Sequence, residues 1–184
     1  AATAFSLGFV WPQAALANSQ TKVNAWIDIH SDETITIRYA RTEIGQGSRT
    51  SAPMLIAEEL QADWQKVRVV DVQAHENLSL QRVYGDMASV GSRTIRMSQE
   101  YLRKAGAAAR IMLIQAAAQR WGVPTEECKA SLGQVIHTSS GRSLSYGQLA
   151  ADAAQLKPPK DIPLKDPATW TLAGQPLPRV DIAD

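Results

Sequence analysis

A single cysteine, Cys128, stands among 184 residues. It excludes an intrachain disulfide, and it excludes a cysteine-ligated zinc or iron–sulfur site built by this chain alone. Neither sign of charge dominates: 19 Lys and Arg oppose 18 Asp and Glu, a formal +1. That balance argues against an electrostatic nucleic-acid binder, which needs a strongly basic face. The three histidines, His30, His75 and His137, lie far apart and show no metal-ligand spacing. Aromatic residues are sparse at 6%, yet five of them are Trp, most simply core or interface anchors. Against these absences, 45% of the residues are hydrophobic, enough to build a core and to exclude wholesale disorder. The length suits one domain, or one domain with a small appendage.

The chain opens on Ala1 to Trp11, largely apolar, followed by Pro12 and then by Ala15-Leu16-Ala17. That order resembles the back half of an export signal with a small-x-small end. The stretch is too short for a spanning helix of ~20 residues. The alternative is an ordinary apolar segment packed on the domain. The export reading places the protein in the periplasm, or on the periplasmic side of a membrane.

Asn24 to His30 alternates, with Ala25, Ile27 and Ile29 on one face, and Ser31-Asp32-Glu33 follows as a polar turn. Thr34 to Tyr39 is β-branched, so the pair predicts a hairpin. From Arg49 to Ala62 the period becomes helical, with Ala52, Leu55, Ile56 and Leu60 on one stripe. Glu58 and Glu59 read as a solvated face of that helix. Val67 to Val72 predicts a third strand. Gln73 to Arg96 has no good period and reads as a long irregular stretch, which inside a domain is more often functional than idle. Met97 to Trp121 predicts the longest helix, whose many alanines permit close approach to a neighbour. Short strands follow at Cys128–Ser131 and Gln134–His137, then a helix capped by Ser145. Residues 156–184 are proline-rich and aperiodic. The fold class is α+β: a small mixed or antiparallel sheet packed with two main helices, short C-terminal β/α pieces and a Pro-rich strap. The implied organisation is a lead-in at 1–23, an α+β unit at 24–155 and the strap at 156–184.

Two polar-glycine segments carry the candidate chemistry. In Thr42 to Thr50, Gly45 and Gly47 flank Gln46, so the backbone can turn sharply and approach a ligand closely. The Gln46 amide offers two donors and an acceptor, and the following helix start favours anions. In Asp86 to Thr94, Ser89, Ser92 and Thr94 bring hydroxyls, Gly91 permits close approach, and a helix again follows. Each segment alone reads as a capped strand-to-helix turn.

Together they resemble the large, molybdopterin-binding subunit of the molybdenum hydroxylases, the xanthine dehydrogenase and aldehyde oxidase family. The likeness is closest to the exported branch of isoquinoline 1-oxidoreductase β subunits and periplasmic aldehyde dehydrogenases. Its E-(I/M)-G-Q-G-x-x-T segment stands here as Glu43 to Thr50, and its A-E-E-L-x-A-D-W run as Ala57 to Trp64. Arg103 to Arg110, Trp121 to Pro124, Leu144 to Gly147, Leu164 to Pro167 and Gly174 to Arg179 also fit. The resemblance implies that Gly45, Gln46 and Gly47 touch the cofactor's pterin and phosphate portion. The family's T-G-G-S-x-S loop would be Ser89 to Thr94, giving Ser89, Gly91, Ser92 and Thr94 as contacts. Val90 and Ser89 depart from that pattern, the former by replacing a glycine.

The resemblance further implies a molybdenum–molybdopterin cofactor, in a dinucleotide form, held by the full subunit and not by this portion alone. It implies aldehyde or N-heterocycle oxidation with water as the oxygen source, a 2Fe-2S subunit as partner and a cytochrome c acceptor. The family's catalytic glutamate falls outside these residues, so none here is assigned as catalytic and this portion alone is expected to be inactive. Glu43 reads as a local carboxylate at a strand end or helix start. The alternative function is a stand-alone periplasmic anion- or nucleotide-binding or assembly module.

Overall fold

The computed structural model describes residues 26–182 together with the backbone of Phe5–Leu7. The sequence expectation of an export remnant covers residues most of which lie outside that set. Phe5–Leu7, inside the same stretch, forms a strand, β1. It pairs antiparallel with β2 (Ile27–Ile29), which pairs antiparallel with β3 (Ile35–Tyr39). The β2–β3 connection turns at Glu33, whose φ of 72° places it in the left-handed region. Helix α1 (Ser48–Leu60) then carries the chain across to β4 (Val67–Asp71), which lies parallel to β3. A parallel pair requires such a crossover, so the sheet is mixed, with order β1-β2-β3-β4.

Ile27 faces Ile37 and Ile29 faces Ile35 across the β2–β3 ladder, and all four are buried in the core shared with α1. The opposite face of β2 is covered as well. Trp26 meets Tyr84 edge-on at a centroid distance of 4.9 Å, and Asp28 pairs with Arg38. Pro53 falls in the first half of α1. Helix α4 (Gln99–Trp121) packs lengthwise on α1. A methyl group on Gly106 would collide with the Ile56 carbonyl, so the alanine-rich face brings the two backbones into direct contact. Glu100 and Lys104 form the expected i,i+4 pair at 2.6 Å.

A second sheet follows, antiparallel in the order β5 (Cys128–Ser131), β6 (Gln134–His137), β7 (Ser143–Ser145). Leu132 and Gly133, both at positive φ, make the two-residue turn between β5 and β6. Ser145 caps α5 (Tyr146–Ala153) in a reciprocal capping box with Gln148. The Tyr146 hydroxyl donates to Leu60 O at 2.6 Å and joins this unit to the end of α1; burial pushes that phenol well above its ordinary range. Cys128 is buried as a small apolar side chain. Among the described residues no helix is long and apolar enough to cross a membrane.

Two sequence expectations require correction. The stretch 73–96 is not wholly irregular: it holds α2 (Ala74–Ser79), a 3-10 turn at Val90–Ser92 and α3 (Arg93–Arg96). Helices of one or two turns are too short to display a hydrophobic period. Glu58 and Glu59 do not form a solvated face either, being 2% and 0% exposed. The strap and α4 cover them. Glu59 binds Arg103 at 2.8 Å and accepts the Lys165 N–H at 3.0 Å. Glu58 pairs with the Lys165 ammonium and accepts the successive N–H groups of Thr171, Leu172 and Ala173 at 3.0, 2.6 and 3.0 Å. The strap then runs back to the start of α1, where Val180 N–H donates to Thr50 Oγ1 at 3.0 Å.

Candidate functional site

The Gly45–Gln46–Gly47 loop occupies the carboxyl end of β3, between a parallel strand and its crossover helix. Ligand crevices in parallel arrangements form at such ends. Gly45 and Gly47 adopt φ of 101° and 78°, which disfavours any side-chain-bearing residue there. A Cβ built on either would meet nothing within 4 Å, so open volume lies against both. Gly91, at φ 58°, is equally open, and Ser92 follows in the same left-handed region.

The fold joins the two segments, although 47 residues separate Thr42 from Ser89. Ser89 Oγ accepts the Thr42 N–H at 2.9 Å and donates to Thr42 O at 2.7 Å. Beneath this tie, Arg41 reaches Asp86 at 2.5 Å, Ala88 O at 3.0 Å and Ser98 Oγ at 3.3 Å. Burial alone would lower the Arg41 pKa, but Tyr101 and Asp86 outweigh it and hold the guanidinium above its ordinary range. The Ala88 N–H and the Arg41 guanidinium hold the Asp86 carboxyl below the usual carboxylate range. Asp86 also binds Arg93 at 3.0 Å. Gly45, Gln46, Gly91 and Ser92 are exposed, Gly47 and Ser89 are half-buried, and Thr94 lies inside at 5% exposure. Six of the seven candidate positions therefore reach one surface, and Thr94 supports it from below.

Hydrogen bonding changes what the loop can offer. The Gln46 amide is engaged within its own loop: its Nε2 donates to Thr42 O at 2.9 Å and Ser48 Oγ at 2.5 Å, while its Oε1 accepts the Ile44 N–H at 2.6 Å. Ser48 Oγ in turn meets the Tyr39 hydroxyl at 2.6 Å. The helix start is also engaged. Glu43 accepts the N–H groups of Gly45, Gly47 and Arg49 at 2.8, 3.0 and 2.9 Å. Burial would raise the Glu43 pKa, but those three donors outweigh it and hold the carboxyl low. A flat polar heterocycle fits the open glycine faces. An anion does not fit at the start of α1 while Glu43 holds it.

Arg41, Asp86 and Glu43 organise the surface, yet no sequence period marks them. The strap also reaches it: Arg179 donates to Gly45 O at 3.1 Å and approaches Glu43 at 3.4 Å. Among the described residues, no group of three or more His, Cys, Asp or Glu side chains is placed to hold a metal ion. His137 lies between Glu127 and Ser140 at 2.9 and 2.7 Å, and His30 bonds Thr36 at 3.0 Å.

Comparison with known proteins bears on this surface. The chain is 39% identical over 134 residues to the beta subunit of isoquinoline 1-oxidoreductase from Brevundimonas diminuta, covering 70% of this chain and 16% of that protein. It is 34% identical over 160 residues to the second, or B-type, component of nicotinate dehydrogenase from Pseudomonas putida, covering 85% of this chain and 13% of that protein. It is 31% identical over 126 residues to a membrane-bound aldehyde dehydrogenase (pyrroloquinoline-quinone) of Gluconacetobacter polyoxogenes, covering 68% of this chain and 15% of that protein. The chain thus spans about a sixth or less of the length of these relatives. The fold is similar to that of quinoline 2-oxidoreductase from Pseudomonas putida 86, with a TM-score of 0.53 and 16% identity over 73% of this chain and 17% of that one. The molybdopterin cofactor-binding domain family matches residues 2–180, nearly the whole length, and the chain belongs to that family.

Proposed function

We propose that this chain is the N-terminal cofactor-contact portion of a larger molybdenum hydroxylase subunit, and that it is inactive by itself. The reaction is oxidation of an aldehyde or N-heterocycle with water as the oxygen source. Named relatives include an isoquinoline oxidoreductase, a nicotinate dehydrogenase and an aldehyde dehydrogenase, which supports that substrate class. When bound, the molybdenum–pterin group, in a dinucleotide form, supplies the redox chemistry, and the protein supplies binding and orientation. Gly45, Gln46 and Gly47 would form one edge of the contact surface. Ser89, Gly91 and Ser92 would form the other, with Thr94 beneath.

A 2Fe-2S subunit and a cytochrome c would carry electrons away, consistent with relatives named as subunits. A periplasmic location agrees with the order of apolar residues, Pro12 and Ala15-Leu16-Ala17 near the start. The observation that carries the proposal is the pair of Thr42–Ser89 hydrogen bonds, which sets two open glycine loops side by side. Molybdenum analysis of the full-length protein tests it. We expect about one molybdenum per copy and several-fold less in Gln46→Ala, because cofactor retention depends on the loop that Gln46 braces. Unchanged molybdenum in Gln46→Ala refutes this use of the loop.

A further inference from the structure

We infer that Glu43 is a positioning residue, a built-in anion that shapes the Gly45–Gln46–Gly47 loop so that it meets the cofactor by its glycine faces and not by the start of α1. The inference rests on the loop being a cofactor contact. Successive backbone N–H groups converging on one point form a nest that takes an anionic oxygen. Here Gly45 and Gly47 donate to one oxygen of Glu43 and Arg49 donates to the other, at 2.8 to 3.0 Å. The nest is full, and it is filled with negative charge.

Two consequences follow. A phosphate arriving at the start of α1 would meet a carboxylate already in place and be repelled by it. The part of the cofactor that lies on this loop is therefore its uncharged ring system, placed against the open sides of Gly45 and Gly47. The second consequence concerns shape. Gly45 sits at φ 101° and Gly47 at φ 78°, and the carboxylate ties both N–H groups to a single atom. Arg179 holds the other side of the loop through Gly45 O at 3.1 Å, and also reaches Glu43 at 3.4 Å. Asp181 balances Arg179 at 2.5 Å, so the strap adds little net charge here.

A simple helix cap would also use Glu43, but its loss would lower stability without affecting cofactor retention. The experiment separates the two. Full-length wild type, Glu43→Ala, Glu43→Gln and Gln46→Ala are dialysed, and molybdenum per copy and melting temperature are measured, with and without inorganic phosphate. We expect several-fold less molybdenum in Glu43→Ala. Glu43→Gln, which keeps an acceptor oxygen, should retain an intermediate amount. Inorganic phosphate, entering the vacated nest, should partly restore retention in Glu43→Ala and leave wild type unchanged. Wild-type retention in Glu43→Ala, with loss in Gln46→Ala, overturns the positioning role and leaves the cofactor reading standing. Full retention in both overturns the reading on which the inference rests. Loss that neither glutamine nor phosphate relieves marks general unfolding and overturns the role. If Glu43→Ala does not accumulate, wild-type retention in Glu43→Gln overturns it as well.

Discussion

Glu59 of α1 and Arg103 of α4 form an ion pair in which the carboxylate is 0% exposed and lies 2.8 Å from the guanidinium. Arg110 adds a second cation at 3.5 Å, and its Nη1 also donates to Glu59 O at 2.6 Å. The Lys165 N–H closes the carboxylate from the strap side. One buried anion thus joins both main helices and the C-terminal segment.

Glu59→Ala leaves Arg103 and Arg110 without their buried partner. Breaking such a pair from one side costs about 3–5 kcal/mol. Urea denaturation should show a lower midpoint, and Glu59→Gln should lose less because its amide oxygen still accepts. A midpoint within error of wild type for Glu59→Ala would show that the three-way junction contributes nothing.

Gly106→Ala tests the contact between α1 and α4. In an exposed helix the change would stabilise by roughly 1 kcal/mol. Here the new methyl meets the backbone carbonyl of Ile56, which cannot turn away. Overpacking of this kind costs about 1–3 kcal/mol, so net destabilisation is expected. Thermal melting decides the sign, and a raised melting temperature would mean that the helices can separate freely.

Ser89→Ala removes both hydrogen bonds to Thr42. The cost to global stability is modest, about 1 kcal/mol for partly exposed bonds. The local effect is larger: the Thr42 amide should exchange faster with deuterium, and the Ser89–Ser92 segment should become more sensitive to protease. Unaltered exchange at Thr42 would show that Arg41 and Asp86 hold the loops together without Ser89.

Strap attachment should depend on acid. Burial would raise the Glu58 pKa, but Lys165 and the N–H groups of Ala173 and Leu172 outweigh it and hold the carboxyl below its ordinary 4.5. A depressed folded-state pKa contributes stability that is present above 4.5 and is lost as pH falls through the folded value. Trp170 lies over the Arg103 guanidinium at 5.0 Å and reports on the strap by fluorescence. Its emission should shift toward that of exposed Trp on acidification from about pH 6 to about pH 3. Lys165→Met should move the midpoint to higher pH. Emission that follows global unfolding alone would exclude a separate strap transition.

Much of the fold is legible in the sequence. The alternation at Ile27 and Ile29 and the stripe of Ala52, Ile56 and Leu60 each state a period that burial then satisfies. Ser145 announces α5 by its own chemistry. The two glycine loops are legible too, because Gly45, Gly47 and Gly91 occupy backbone conformations that other residues resist. Less legible is whatever depends on distant partners. Glu58 and Glu59 carry the signature of a wet helix face, and only the strap, 106 or more residues away, turns them inward. Arg41 and Asp86 look like ordinary loop charges until the fold brings them together. Gln46 shows a similar limit: its type indicates hydrogen bonding, but not that its bonds close on its own loop.

The most direct test of the account is a crystal structure of the full-length protein with its molybdenum cofactor bound. The account predicts the cofactor's ring system against the open sides of Gly45, Gly47 and Gly91, with Glu43 still bonded to Gly45, Gly47 and Arg49. A cofactor bound away from both loops, or a phosphate seated at the start of α1 in place of the Glu43 carboxylate, would contradict it.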